Sequence, residues 1–351
     1  MDFGNSLIVP SVQELAKDLN MVTVPSRYIR LDQNQTTNLI SVSSDEIPVV
    51  NFQNLLLSGE SYKSELARLH SACKDWGFFQ LVNHGISSSL VEKVKAEVQD
   101  FFNLPMEEKK KYWQVPGEVE GFGQAFVVSE EQKLDWDDIF FFTTLPVDLR
   151  KPHLFPKLPL PFRETLEIYS LELKKLAEAI IALMEKALEI DSKEISKLFE
   201  NGMQSMRMNY FPPCPQPEQV IGLTPHSDAV GLTILLQVSK VEGLQVKKNG
   251  MWVPVKPLPN AFIVNIGDIL EMITNGIYRS IEHRVTVNSA QERLSIATFY
   301  NPGVDTEIGP AHSLINEQNP ELYRRLGVRE YVKGLFAREL DGKSYIDVMK
   351  L

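Results

Sequence analysis

The stretch Gly222-Leu-Thr-Pro-His226-Ser-Asp228-Ala-Val-Gly231, followed by the leucine-rich, β-branched run Leu232 to Leu236, sets the reading of this chain. In an extended backbone, residues two apart point to the same face, so His226 and Asp228 offer an imidazole and a carboxylate to one side. Both can ligate a single ion. The third ligand comes from elsewhere in the chain: His283 opens His-Arg-Val-Thr-Val, a short alternating run that predicts another strand. Two histidines and one carboxylate make the facial set that leaves positions open on ferrous iron and suits oxygen chemistry. Zinc with a single open position is the competing metal.

An H-x-D triplet alone carries little weight, because a chain with six histidines and many acidic residues produces it by chance. Arg293-Leu-Ser295 separates the alternatives. These two residues are again two apart in a strand-like run, Leu294 to Tyr300, so a guanidinium fork and a hydroxyl face the same way. Such a pair is suited to gripping a carboxylate bidentately. A zinc hydrolase has no evident need for that clamp on the sheet that carries its metal. A co-substrate acid that chelates iron does.

Outward from this centre, residues 206–300 read as short β runs: Thr233 to Gln237, Leu244 to Lys247, Trp252 to Val255, Ala261 to Ile266, Arg284 to Val287 and Leu294 to Tyr300. With turn signals such as Asn249-Gly250 between them, they predict an antiparallel double sheet. Ahead of them, Phe162, Leu166, Tyr169, Leu173, Leu176, Ile180, Leu183 and Ala187 recur at three- and four-residue steps and predict a long amphipathic helix, packed under the sheet. A proline cluster, Pro152, Pro156, Pro159 and Pro161, marks a boundary before it. The N-terminal part reads as α/β: a strand near Ile47 to Phe52, a helix from Glu65 to Trp76, a strand Phe78 to Val82 and a helix from Leu90 to Phe102. Ser11 with Glu14 three residues on is a capping-box signature for a short first helix, and the polar residues 31–46 read as a loop. Residues 318–337 read as helical, a cover for the open end of the sheets. Asn265-Ile-Gly-Asp268 reads as a tight turn, and Lys109-Lys-Lys as a solvated helix end. The class is α+β, divided as 1–46 (helix and loop), 47–151 (N-terminal portion), 152–200 (linker and support helix), 201–302 (catalytic core) and 303–351 (helical cover).

Composition excludes several functions. The 351 residues, 43% hydrophobic and 23% charged, suit a globular chain, and the formal charge of −10 opposes a phosphate-binding surface. No nucleic-acid partner is expected. Cys73 and Cys214 stand far apart with no CxxC pattern, so no disulfide framework is expected and a reducing compartment fits. The opening residues lack a basic segment and a long apolar run, so neither secretion signal nor membrane span is read, and the cytoplasm is the expected location. Nothing demands a dimer; a monomer is expected.

Several long motifs in order resemble the plant 2-oxoglutarate- and iron-dependent dioxygenases, in the senescence-related branch that includes alkaloid O-demethylases. They are Trp76-Gly-Phe-Phe-Gln-Leu-Val-Asn-His-Gly, Gly121-Phe-Gly-Gln-Ala-Phe-Val-Val-Ser-Glu, Met206-Arg-Met-Asn-Tyr-Phe-Pro-Pro-Cys-Pro-Gln-Pro, Gly222 to Gly231, Asn265-Ile-Gly-Asp and Arg293-Leu-Ser-Ile-Ala-Thr-Phe. The resemblance implies a distorted jelly-roll, a double-stranded β-helix, around Fe(II) held by His226, Asp228 and His283, with 2-oxoglutarate on Arg293 and Ser295 and with Asn209 and Tyr210 near it. It implies dioxygen as oxidant, ascorbate as reductant, and release of succinate and carbon dioxide. It also puts Phe122, Phe126, Phe140, Phe141, Phe142, Phe299, Tyr300 and Asn301 in segments similar to the family's pocket walls, and Arg207 where pocket-facing basic residues occur in relatives. Aromatic walls suit a flat, largely apolar small molecule.

One departure stands out. The family pattern after the methionine-arginine segment is Asn-Tyr-Tyr-Pro, and this chain reads Asn209-Tyr210-Phe211-Pro212. Phe211 has no hydroxyl for the co-substrate, a loss worth roughly 0.5 to 1.5 kcal/mol, or about tenfold at most in affinity. The expected activity is hydroxylation or O-demethylation of a small aromatic or alkaloid-like molecule. The alternatives are a desaturating or ring-closing oxidase on the same scaffold, a zinc hydrolase, and a catalytically silent small-molecule binder.

Overall fold

The strand run read from residue 223 onward forms two facing sheets in the computed structural model, which describes residues 6–18, 22–30, 46–116, 118–124, 127–190, 192–339 and 341–351. The loop expected over residues 31–46 lies almost wholly outside these described residues, as does Phe126. In chain order the strands of these two sheets are β1 (Val49–Asn51), β2 (Phe78–Val82), β3 (Gly121–Gly123), β4 (Asp138–Leu145), β5 (Met203–Phe211), β6 (Leu223–His226), β7 (Leu232–Gln237), β8 (Leu244–Lys248), β9 (Met251–Pro254), β10 (Phe262–Ile266), β11 (His283–Val285) and β12 (Arg293–Asn301); a separate short ribbon pairs Glu307–Ile308 with Leu326–Gly327. The helices are α1 (Val12–Ala16), α2 (Glu60–Ser71), α3 (Ser88–Asn103), α4 (Met106–Lys109), α5 (Leu160–Ala187), α6 (Glu194–Phe199), α7 (Asp268–Ile273), α8 (Val328–Leu335) and α9 (Ser344–Asp347).

The larger sheet has the order β1-β2-β10-β7-β12-β5-β4-β3, and the smaller one β6-β11-β8-β9. All pairings within them are antiparallel except β1 with β2. Phe78, Phe211, Leu223, Leu244, Val246, Ile263 and Val285 pack between the two sheets. Behind the larger sheet lies the main core, to which α3 contributes Val91, Val94, Val98, Phe101 and Phe102 and α5 contributes Phe162, Leu166, Tyr169, Leu173 and Ile180. Pro161 sits in the first turn of α5, where its missing N–H costs nothing. The N-terminal portion is not a separate module: β1 and β2 extend one edge of the catalytic sheet, β3 and β4 the other.

Ser11 caps α1 as read, accepting from Glu14 N at 3.3 Å. The carboxylate of Asp138 strengthens that cap, accepting from the amides of Val12 (2.8 Å) and Gln13 (3.0 Å) and from the Ser11 hydroxyl. Four expectations change. The helix expected from Glu65 starts at Glu60 and finishes in a π turn, Ala72–Trp76. Only α8 within 318–337 is helical. Asn265 to Asp268 is not a bare turn but the end of β10 running into α7, with Gly267 as N-cap. Lys109 is fully buried, because its ammonium donates to Gln13 Oε1 and to the Phe102 carbonyl; Lys110 and Lys111 alone face solvent.

Candidate metal and co-substrate site

His226 closes β6 and stands directly opposite His283, the first residue of β11, so sheet register brings the two rings to a centroid separation of 4.2 Å. Each imidazole donates Nδ1–H to the carbonyl two residues before it: His226 to Thr224 at 2.7 Å, His283 to Ile281 at 3.2 Å. A carbonyl can only accept, so this fixes the tautomer and leaves both Nε2 lone pairs free. Asp228 lies just beyond the strand end. Its Oδ1 is 3.4 Å from His226 Nε2 and 3.5 Å from His283 Nε2, while Oδ2 accepts from Thr233 Oγ1 (2.7 Å) and Asn265 Nδ2 (2.8 Å).

One donor atom from each of the three residues lies within 4.8 Å of the others. Ligands about 2.1 Å from an ion and at right angles to one another stand roughly 3 Å apart, so the set fits a metal on one face. Burial opposes ionisation of Asp228, but the two imidazoles and the Asn265 hydrogen bond outweigh it and hold the carboxyl well below the usual range. Burial and the neighbouring His226 push His283 down to about 4, which keeps it neutral. Thr233 and Asn265 are partners across β7 and β10, so one rung of the sheet orients the carboxylate. Gly267 lets this loop close: a Cβ there would stand 2.1 Å from the Val230 carbonyl oxygen.

Arg293 and Ser295 do face the same way from β12, with Arg293 Nη1 3.2 Å from Ser295 Oγ and Nη2 donating to Gln237 Oε1 at 2.8 Å. The guanidinium is buried, its Nε has no partner, and among the described residues no carboxylate pairs with it. Burial lowers it to about 10, so it is charged at neutral pH. Asn209 joins from β5, donating weakly to Ser295 Oγ (3.4 Å) and leaving its own Oδ1 unpartnered. Phe211 covers the group, with its ring centroid 5.2 Å from the guanidinium carbon. A buried cation with no counter-ion in a cavity that also holds the metal ligands fits a bound carboxylate. Among the described residues Arg293 forms no structural salt bridge.

The remaining predicted residues divide by strand parity. Arg207, Asn209 and Phe211 line the cavity, as do Phe299 and Asn301. Tyr210 points to the other face of β5, where it donates to Glu292 at 2.5 Å and stacks on Phe102. Phe122, Phe140 and Phe142 likewise belong to the core behind the sheet, and the wall of β4 is Ile139, Phe141 and Thr143. Tyr300 donates to Glu178 and the Phe199 carbonyl, also behind the sheet. Arg207 pairs with buried Asp137 at 3.1 Å. Sequence reading missed Gln237, Thr233 and Glu120; the alternation of β4 would have selected Phe141 over its neighbours had the strand's facing been known.

A jelly-roll with a facial His-Asp-His set and an unpaired buried arginine defines a mononuclear metal oxygenase that uses an acidic co-substrate. Comparison with known proteins agrees. Residues 202–302 match the 2OG-Fe(II) oxygenase superfamily and residues 47–158 match the non-haem dioxygenase in morphine synthesis N-terminal family. The chain is similar to Protein SRG1 of Arabidopsis thaliana (62% identity; 99% of this chain, 98% of the relative). It is also similar to oxoglutarate-dependent flavonoid 7-O-demethylase 1 of Ocimum basilicum (56%; 99% and 92%) and to codeine O-demethylase of Papaver somniferum (55%; 99% and 98%). The crystal structure of JOX2 in complex with 2OG, Fe and JA superposes with a TM-score of 0.89 at 36% identity, covering 98% of each chain. This chain belongs to the 2OG-Fe(II) oxygenase superfamily, among the plant O-demethylase relatives; it is an oxidoreductase that uses Fe(II) and 2-oxoglutarate. No helix among the described residues is long and apolar enough to cross a membrane.

Proposed function

We propose that the chain hydroxylates or O-demethylates a small aromatic or alkaloid-like metabolite, with His226, Asp228 and His283 holding Fe(II) and with Arg293, Ser295 and Asn209 holding the distal carboxylate of 2-oxoglutarate. The observation that carries the reading is the buried Arg293, with no carboxylate partner among the described residues, in the same cavity as the three metal donors. Iron and 2-oxoglutarate, when bound, supply a two-electron oxidation by dioxygen in which one oxygen atom ends in succinate, carbon dioxide leaves, and the other atom enters a substrate C–H bond. An oxidised O-methyl carbon is a hemiacetal, which breaks down to formaldehyde and an alcohol.

The protein's part is binding and orientation. The Thr224 and Ile281 carbonyls aim both Nε2 atoms at one point, and Thr233 and Asn265 turn Asp228 Oδ1 towards it. Gln237 and Ser295 fix the guanidinium plane, and Phe211 excludes water from its face. Phe141, Phe299 and Leu335 give the substrate end apolar walls. We propose further that the protein acts as a cytoplasmic monomer with ascorbate as reductant and binds neither membranes nor nucleic acid; two buried free cysteines support a reducing compartment, and the charge of −10 opposes a phosphate-binding surface.

Succinate formation by iron-loaded protein with 2-oxoglutarate, oxygen and a panel of methoxylated alkaloids, flavonoids and coumarins tests the reading. Substrate-stimulated succinate, lost in Asp228→Ala and accompanied by formaldehyde where an O-methyl carbon is attacked, is the expected result. Substrate-independent behaviour of both products across such a panel would remove the proposal.

A further inference from the structure

Glu120 is a carboxylate in the wall of the catalytic cavity that the chemistry above does not use. It is buried, and its Oε2 accepts from Thr143 N (2.7 Å) and its Oε1 from Thr143 Oγ1 (3.2 Å). Among the described residues no lysine, arginine or histidine pairs with it. Lys151 favours the ionised form of Glu120 through space but bonds to Glu118, at 2.7 Å, and Arg207 bonds to Asp137 at 3.1 Å. Glu120 therefore presents to this end of the cavity a carboxylate with no cation in bonding contact among the described residues. A buried carboxylate lacking a cation is costly, and burial raises its pKa.

Register locates the charge. Thr143 lies opposite Ser205, which lies opposite Phe299, which lies opposite Thr233, whose hydroxyl binds the metal carboxylate Asp228. The anion clamp sits on another row, at Ser295 and Asn209. Four residues of antiparallel strand, about 14 Å, separate the two rows. Glu120 is thus on the substrate side, at the far edge of the row that reaches the metal, and too far from Arg293 to serve the co-substrate. Three strand spacings, roughly 14 Å, lie between Thr143 and Thr233.

We propose that Glu120 is the specificity residue of this oxygenase, the counter-ion for a protonated amine on the substrate, so that the cavity selects cationic methoxylated aromatic amines over neutral aromatics of the same shape. The inference rests on the oxygenase reading of the site, and it goes beyond it by naming a charge on the substrate and the residue that meets it. Thr143 holds the carboxylate through one lone pair on each oxygen and leaves the others to accept from an ammonium N–H. The apolar row of Phe141 and Phe299 flanks the aromatic body.

Calorimetric binding to the iron-loaded full chain with 2-oxoglutarate under nitrogen tests this, using pairs of methoxylated N-methyl-tetrahydroisoquinolines and their neutral lactams. The wild type is expected to favour the amines by about 10- to 100-fold, the range of one charged hydrogen bond. Glu120→Gln keeps the Thr143 N–H contact and is expected to erase that preference, while 2-oxoglutarate affinity stays unchanged. Equal or stronger lactam binding by the wild type, no amine binding at all, or an amine preference that survives in Glu120→Gln would each overturn the proposal. Should the variant not fold, the wild-type pairs decide alone. A separate titration with 2-oxoglutarate keeps the two failures apart: if it binds and the amines are not preferred, only this inference falls; if it does not bind, the co-substrate reading falls as well.

Discussion

Replacing Arg293 by methionine distinguishes a co-substrate clamp from a structural cation by the sign of its effect on stability. The guanidinium is buried without a carboxylate, and its pKa is pushed down to about 10 from 12.5. That difference corresponds to an unfavourable contribution of about 3 kcal/mol in the ligand-free fold, present in full at neutral pH because the group stays charged. Methionine of similar length removes this cost and also the hydrogen bonds to Gln237 and Ser295, worth about 1 kcal/mol each, with a further penalty for the Gln237 oxygen left unpaired. The net change is expected within about 1 kcal/mol of zero, at most a few degrees in Tm. Co-substrate affinity behaves differently: losing a bidentate charge-assisted pair costs roughly 3 to 4 kcal/mol, about 10²- to 10³-fold. Thermal unfolding of metal-loaded protein with and without 2-oxoglutarate reads both. At a concentration about 100 times its Kd, 2-oxoglutarate stabilises the wild type by about 2.7 kcal/mol, and the same concentration is expected to leave Arg293→Met unshifted. A ligand-free variant destabilised by several degrees, with the 2-oxoglutarate shift intact, would refute the reasoning and make Arg293 a structural residue.

Asn265→Ala frees Asp228 Oδ2 from one of its two hydrogen-bond donors and is expected to weaken metal affinity about 10- to 100-fold, read by competition with a fluorescent chelator; unchanged affinity would show that Thr233 suffices. Phe211→Tyr returns a hydroxyl beside Arg293 and is expected to lower the KM for 2-oxoglutarate by up to about tenfold with kcat little changed, whereas a rise would mean that ring packing on the guanidinium matters more. Gly267→Ala drives a methyl into the Val230 carbonyl and displaces the Asp228 loop, so both Tm and metal affinity should fall, a coupling that an effect on stability alone would disprove. Lys109→Ala leaves the Phe102 carbonyl and Gln13 Oε1 without their donor and opens a cavity; a loss of about 2 to 4 kcal/mol and faster proteolysis near α1 are expected, and wild-type behaviour in both would contradict the burial of this lysine.

The elements with strong periodicity were legible before any coordinates. The eight-residue pattern of α5, the strand Phe78–Val82 and the runs from Leu232 to Tyr300 appear within a residue or two of where alternation and helical spacing put them. The strand Asp138–Leu145 escaped notice because Ile139-Phe-Phe-Phe142 is apolar at every position, so no period marks which residues face inward. The short stretch Asn265 to Asp268 reads as a turn for a similar reason, since nothing local distinguishes a turn from the junction of a strand and a short helix.

That His226 aligns with Asp228, and Arg293 with Ser295, was legible in the sequence, because residues two apart share a face in any extended backbone; that His283 meets the first pair is decided by the β6–β11 register. The facing of Tyr210, Phe122, Phe140 and Phe142 was not legible, because a strand's two faces are equivalent until the sheet is packed, and a shift of one residue exchanges core for cavity. The same holds for Glu120 and Gln237, whose places in the cavity wall follow only from neighbours distant in the chain: a carboxylate held by Thr143, and an amide fixing a guanidinium. Local spacing encodes which residues point together; what they point at is decided by the packing of one sheet against another.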